Sequence, residues 1–492
     1  MSNFFDILTF SPYDPLRFNS VFFFILFTAF FAVYTVAANR IRLRNILLLI
    51  FSYYFYYRVS GTAAIILLGI SVSDFFIGKS IAGAESEKRK NMLLLLSVCI
   101  DIGLLAYFKY TNFFLEQWHY LAGTEYQFSP LSILLPAGIS FFIFKSLSYI
   151  IDVKREVTEP ESDPINYLLY VAFFPNILAG PISKARDLLP QFRLPTTISS
   201  ETIGKGLFLI MGGAFKKVVI ADYLSNNLVQ RVLEGPSYFN PMETLFAFYA
   251  SALRFYCDFS GYTDMVIGIA LLLGFTVHPN FNQPFLAAGV ADFWRRWHIT
   301  LNEWFSDYLY YPLAFGLRSM KLVGAILAVM LVFFISGLWH GAAWTFIIWG
   351  LSHGIFISLE LLFAPLIRRA EESPFRKPLK VVSVFITFHF IALSFILLQS
   401  DTIGTAMVFF GNLFAAPDFS LFGNWYEVYQ GPLWIMIAGY LLHFLPERMT
   451  SGAIDLFTRL HWIGKAVIFF IFIVLVYQVF STESLPFIYL QF

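Results

Sequence analysis

Apolar residues in this chain fall in runs of about 20, the length of a helix that crosses a hydrocarbon layer of about 30 Å. Runs of this kind lie near 18–38, 43–57, 61–78, 91–108, 131–151, 206–226, 242–258, 322–339, 343–363, 380–398, 432–446 and 463–480. They are too long and continuous for the alternating strands of a membrane barrel. The expected fold class is an all-α polytopic membrane protein of about 11–12 transmembrane helices. No internal repeat, flexible linker or low-complexity tract separates the runs, so one integral-membrane domain is expected over 1–492.

Basic residues orient these helices. Arg40, Arg42 and Arg44 follow the first run, Lys79, Lys88, Arg89 and Lys90 the third, and Lys154 and Arg155 the fifth, whereas 110–144 and 399–447 contain neither Lys nor Arg. By the positive-inside rule the basic ends face the cytoplasm, which puts both termini on the extracytoplasmic side. The first residues lack the basic start and small-residue cleavage site of a signal peptide, so the first run is expected to be a mature span.

Two apolar pieces break the alternation. Residues 165–182 contain Pro175, Gly180 and Pro181, and residues 262–285 contain Gly274, Pro279 and Pro284. Both are expected to be re-entrant or broken helices, which membrane proteins tolerate where the freed backbone is buried in protein or lines a watery cavity. A cavity is therefore expected.

Composition agrees: 58% of residues are hydrophobic, 20% aromatic and only 13% charged, with a mean hydropathy of +0.68. A net charge of +1 without a clustered basic face points to no nucleic-acid partner. Cys99 and Cys257 lie in apolar runs and are expected to be small buried hydrophobes without a disulfide; no metal site is expected.

Against this apolar background two histidines stand out. His298 lies in ADFWRRWHITLNEWFSDYLYYP (291–312) and His340 in SGLWHGAAW (336–344). An ionisable group at membrane depth costs at least about 2.5 kcal/mol and usually faces a protein interior or a water-filled path. From Asp292 to Tyr308 the aromatic and aliphatic residues recur at helical spacing, which predicts an amphipathic helix at the membrane boundary. One reading is a surface helix with Asp292 paired to Arg296. In the other, Arg295 and Arg296 also meet the phosphates of an incoming donor while His298 points into the cavity. His340 has small neighbours at Gly337, Gly341, Ala342 and Ala343 that permit close approach of a helix or substrate. A neutral imidazole there can take a proton from an attacking hydroxyl, help worth roughly 10²- to 10⁴-fold; the alternative is a core histidine hydrogen-bonded to a neighbouring helix. Backbone amides of 337–342 are candidates for steadying an oxyanion.

Asp258, Tyr262 and Asp264 are further polar candidates, the aspartates either orienting a histidine or pairing with a cation. Asp74 and Asp101 are also polar at membrane depth. Lys145 is expected to snorkel to the interface, and His353 and His389 to be structural.

At these residues the sequence resembles the membrane-bound O-acyltransferase family, in particular its bacterial branch that acetylates alginate or moves D-alanine to teichoic acids. The matching pieces are FFPNILAGPISK (173–184), FYCDFSGYTDMVIGIALLLGF (255–275), NFNQPF (280–285), DFWRRWHITLNEWFSDYLYYPL (292–313) and GLWHGAAWTFIIWGLSHG (337–354), with a weaker match at 138–155, giving a signature core of about 138–354. The resemblance implies a ring of helices around a central tunnel, with His340 as the catalytic histidine and His298 as the second characteristic one. Trp294, Arg295, Arg296, Trp297, Trp339, Asp258, Tyr262 and Asp264 are the candidates for the donor path or tunnel lining. After Pro312 the chain departs from the alginate relatives, reading LAFGLRSM, and its late span reads SFILLQS.

The function expected is transfer of an acyl group, acetyl first, from a cytoplasmic thioester to a hydroxyl of an extracytoplasmic polysaccharide, cell-wall glycan or carrier protein. The donor is acyl-CoA (acetyl-CoA) or an acyl carrier thioester, with no tightly bound cofactor. Expected partners are membrane lipid, this donor and a periplasmic or secreted acyltransferase; the place is the bacterial inner membrane. D-alanyl or other acyl transfer is one alternative, and a proton-coupled transporter or flippase using the two histidines is another. A glycosyltransferase is disfavoured because no paired acidic motif lies in a large external loop.

Overall fold

A computed structural model describes residues 9–12, 15–18, 20–123, 130–196, 198–418, 420 and 422–479. Residues 1–8 and 480–492, on which the placement of the termini rests, lie outside these. Among the described residues every regular element is helical, apart from one isolated antiparallel bridge, Phe281 with Trp297. The chain divides into two compact units. One holds residues up to Gly206 together with Val266–His278, the other Leu207–Met265 and the residues from Pro279 onward.

The first unit starts with α1 (Val21–Ala37), capped by the Ser20 hydroxyl accepting from Phe23 N–H. It continues through α2 (Ile41–Ser60), α3 (Ala64–Ala82), α4 (Glu87–Leu121), α5 (Ile139–Lys154), α6 (Pro164–Ala172) and α7 (Ala185–Arg193). Proline at its first position and the Asp163 carboxylate, which accepts from Ile165 N–H, start α6. At Phe173 the helix stops, and 173–184 continues as a fully buried irregular segment. This is the broken element expected at 165–182.

Its freed polar groups find partners inside protein, as apolar surroundings require. Phe174 N–H donates to Ser52 Oγ, and the Asn176 amide donates to Pro181 O and Ser183 Oγ. Lys145 is not at the interface but fully buried: its ammonium donates to Val171 O at 3.3 Å and Asn176 Oδ1 at 3.1 Å. The reason is electrostatic. Val171 lies at the C-terminal end of α6, where unpaired carbonyls attract a cation. Arg44 does the same for α7, donating to Phe192 O and Leu194 O. Gly138, at φ +71°, lets α5 begin against this segment, because a Cβ there would lie 2.5 Å from Ile177 O. Cys99, expected to be buried, is exposed, facing outward from α4, whereas Cys257 is buried.

Two helices, α8 (Ser200–Ala214) and α10 (Pro241–Leu272), have residues in both units. In the second unit α8 passes into π-helical turns, Phe215–Asp222 and Ser225–Val229, followed by α9 (Gln230–Glu234). Next come α11 (Val290–Trp294), α12 (Ile299–Phe305), a π turn at Ser306–Tyr310, and α13 (Tyr311–Gly316). The rest is α14 (Lys321–His340), α15 (Trp344–Leu362), α16 (Ala364–Glu372), α17 (Arg376–Gln399), α18 (Ile403–Leu413), α19 (Phe422–His443), α20 (Glu447–Arg459) and α21 (Trp462–Val479). The break expected at 262–285 falls where α10 ends, with Gly274 at φ +80°.

Five described helical stretches are long and apolar enough to cross a membrane: Ile41–Ala82, Glu87–Leu121, Arg318–His340, Trp344–Leu362 and Arg376–Gln399. A sixth is formed if Phe422–His443 and Glu447–Arg459, bent by 91°, count as one span. Two other predicted runs, 18–38 and 463–480, fall on the shorter apolar helices Val21–Ala37 and Trp462–Val476. Apolar length in the sequence therefore overstates regular helix length wherever the chain bends.

Candidate functional site

The site lies within the second unit, where the stretch 291–312 folds differently from the continuous helix its periodicity suggests. The segment 280–282 lies alongside 296–299. Asn282 N–H donates to Arg296 O, Phe281 bridges Trp297, and Ile299 N–H donates to Asn280 O at 3.0 Å. The Asn280 side-chain oxygen then accepts from both Thr300 N–H (3.1 Å) and Thr300 Oγ1 (2.7 Å). These bonds hold His298 at φ +44°, ψ +52°, a left-handed conformation that costs a non-glycine residue about 1–3 kcal/mol. α11 ends before this bend and α12 begins after it, with His298 O accepting from the Leu301 and Asn302 amides.

The bend buries His298 completely, with Phe259 of α10 packed edge-on at 4.8 Å between ring centroids. Burial pushes the His298 imidazole down to about 3, so it is neutral at physiological pH. On the same stretch Asp292 pairs with Arg296 at 3.1 Å and with Arg295 at 3.5 Å, as the spacing suggests. Sequence reasoning missed Glu360 of α15, whose carboxylate accepts from Val290 and Ala291 N–H and starts α11. It also missed Asn280, which has no periodicity to reveal it.

His340 is the last residue of α14 and is buried. The α14 and α15 backbones touch through glycine. A Cβ on Gly337 would lie 2.5 Å from Phe346 O, and one on Gly350 would collide with Phe333 O. The helix continues through His340, and Gly341 N–H donates to Gly337 O. Amides of 337–341 are thus committed to the helix.

Aromatic rings connect the two histidines. Centroid distances run 6.2 Å from His298 to Trp339, 4.9 Å from Trp339 to His340, 4.8 Å from His340 to Trp349, and 4.9 Å from Trp349 to His353. Trp294 packs on Trp349 at 5.7 Å. Beside this chain is a cavity of about 70 Å³ whose lining includes Trp294, Asn302, Phe305, Ser306, Tyr310 and Ser336. That is room for several waters or a small acyl group. Trp297 is buried against Phe255 and Phe293.

The other candidates sit on α10. Asp264 pairs with Lys216 at 2.7 Å, and Asp258 joins Asp222 around the buried Lys217. Of the two readings for these aspartates, pairing with a cation is the one seen. Gly213 and Gly261 set this crossing, since a Cβ on either would collide with the other's carbonyl. Tyr262 is buried. His389 bonds Tyr249 Oη and Phe385 O. Among the described residues no three His, Cys, Asp or Glu side chains converge as metal ligands do.

The family model described as MBOAT, membrane-bound O-acyltransferase family, matches residues 93–400. The chain is 35% identical over 414 residues to a probable alginate O-acetylase of Pseudomonas syringae pv. tomato, covering 82% of this chain and 76% of the relative. It is 34% identical over 368 residues to a peptidoglycan O-acetyltransferase of Helicobacter pylori (70% and 68%). With a teichoic acid D-alanyltransferase of Bacillus subtilis it shares 28% identity over 286 residues (56% and 72%).

Proposed function

Because this chain belongs to the membrane-bound O-acyltransferase family, and is thus a multi-pass membrane O-acyltransferase, we propose that it O-acetylates a cell-envelope polysaccharide or wall polymer. The donor is a cytoplasmic acyl thioester, acetyl-CoA first, and the membrane is the bacterial inner membrane with both termini outside. The relatives that act on alginate and peptidoglycan support a polymer acceptor, and the small cavity beside Trp294 favours a short acyl group.

In this reading His340 is the general base. It takes the proton from the attacking hydroxyl, of the polymer or of an extracytoplasmic partner acyltransferase that relays the group, while the oxygen bonds to the thioester carbonyl carbon. The tetrahedral adduct collapses, the C–S bond breaks, and the thiolate receives the proton from His340. The position of His340 at the C-terminal end of the 20-residue α14 suits this work, since carbonyls there stabilise a positive charge by about 0.3–1 kcal/mol. Neutral His298 serves to orient the thioester or assist the leaving thiolate, and Arg295 and Arg296 meet donor phosphates at the entrance.

The observation that carries the reading is the ring chain from His298 to His340 beside a small, partly open cavity walled by Trp294. Its test is acetyl transfer and CoA release by purified protein supplied with acetyl-CoA and de-acetylated polymer fragments. His340→Ala is expected to lose about 10²- to 10⁴-fold in kcat; wild-type turnover by a correctly inserted His340→Ala protein overturns the assignment.

A further inference from the structure

His353 has no role in the mechanism above, yet it is a fully buried imidazole in an apolar sleeve, with Phe390 at 5.1 Å and Phe333 stacked at 6.2 Å. An apolar ring would fill this space without the cost of burying two polar nitrogens. What the imidazole provides is direction. Trp294 Nε1 is 3.2 Å from His353 Nδ1, and an indole N–H only donates. Nδ1 therefore carries no proton and Nε2 does. Nε2 then donates to Ser394 Oγ at 3.0 Å, and the Ser394 hydroxyl donates to Ile391 O at 2.7 Å.

The sequence of bonds has one sense throughout, from indole to imidazole to hydroxyl to backbone carbonyl. Rotation of the ring, or a second proton on it, breaks at least one link. Held this way, His353 fixes two indoles at once. Trp294 forms a wall of the cavity, and Trp349, 4.9 Å from His353, lies 4.8 Å from His340.

We propose that His353 is a positioning residue for acyl transfer: its hydrogen bonds from Trp294 and to Ser394 hold the Trp294 and Trp349 indoles, and through them the register of His340 with the cavity. The proposal rests on the reading of His340 as the base.

Three substitutions in the full-length protein separate orientation from packing. His353→Asn places an amide oxygen near the Nδ1 position, able to accept from Trp294; His353→Gln reaches Ser394 instead; His353→Phe fills the space without either bond. Misplacement of a reacting group by about 1 Å costs up to about 10²-fold, so His353→Phe and His353→Gln are expected to lose at least about tenfold in kcat with acetyl-CoA, and His353→Asn to recover most of that loss. Trp294→Phe, which removes the donor together with part of the ring that walls the cavity, should lose at least as much as His353→Phe, and His353→Phe should add nothing to it in the double variant.

A packing role predicts the reverse order, with Phe the best tolerated. Phe equal to wild type, or Asn no better than Phe, overturns the proposal. The same order is read without turnover as the rate at which diethyl pyrocarbonate modifies His340, followed by mass spectrometry. Asn should resemble wild type, and Phe and Gln should differ from it. Failure of the His340 reading shows separately, as undiminished turnover by His340→Ala.

Discussion

The two histidines are held by opposite means. His298 sits at a strained bend fastened by hydrogen bonds from 280–282, whereas His340 ends a continuous 20-residue helix fastened by glycine-to-backbone contact with α15. The first arrangement is polar and local; the second is steric and spread along two helices. A bend held by directed bonds can fail alone. A helix pair held by close packing fails together with everything mounted on it, here His340, Trp349 and His353.

Three measurements sharpen this contrast. The largest effect belongs to Gly350→Val, because branched carbon in contact with Phe333 O and Gly337 must push α15 from α14. Overpacking costs about 1–3 kcal/mol or more, and both the thermal midpoint in detergent and acyl transfer should fall. A variant with unchanged midpoint and activity would show that the helices are free to separate.

Asn280→Ala comes next. It removes the shared acceptor of the buried Thr300 N–H and hydroxyl, a cost of about 1–3 kcal/mol, and loosens the bend at His298. The expected result is at least about tenfold lower kcat with a smaller shift in midpoint than Gly350→Val. An equal effect on stability and activity in both variants would erase the distinction drawn here.

The smallest effect is on pH. The His298 imidazole is held neutral down to about 3, against about 6.5 in the unfolded chain. Between these values the unfolded state binds the additional proton, so stability is full above about 6.5 and declines as pH falls toward 3. Thermal unfolding of wild type against His298→Asn should show a shallower acid decline in the variant. Identical slopes would mean that His298 is not the group responsible.

How much of this was legible beforehand follows the same division. Apolar runs announce membrane helices, and glycines around His340 announce close packing, since both are written in residue size and hydrophobicity. Breakers such as Pro175 and Pro181 mark where α6 must stop. The bend at His298 was hidden because its cause lies some 18 residues earlier, in Asn280, while the local periodicity of 292–308 speaks for a continuous helix. Glu360 and Ser394 were equally silent; their partners lie 70 and 41 positions away. Lys145 misled by its distance from the expected membrane centre, because depth in the bilayer and depth in the protein are different coordinates. His353 gave a sequence signal, a histidine among aromatics, but its meaning is in which nitrogen faces which partner.

Lys145 also bears on movement. Its ammonium rests on neutral oxygens at the end of α6 and on Asn176, beneath an irregular segment that is buried along its whole length. Swinging that segment outward would take these oxygens away from the buried Lys145 amine. The segment is therefore held in place by the same groups that keep this amine hydrogen-bonded.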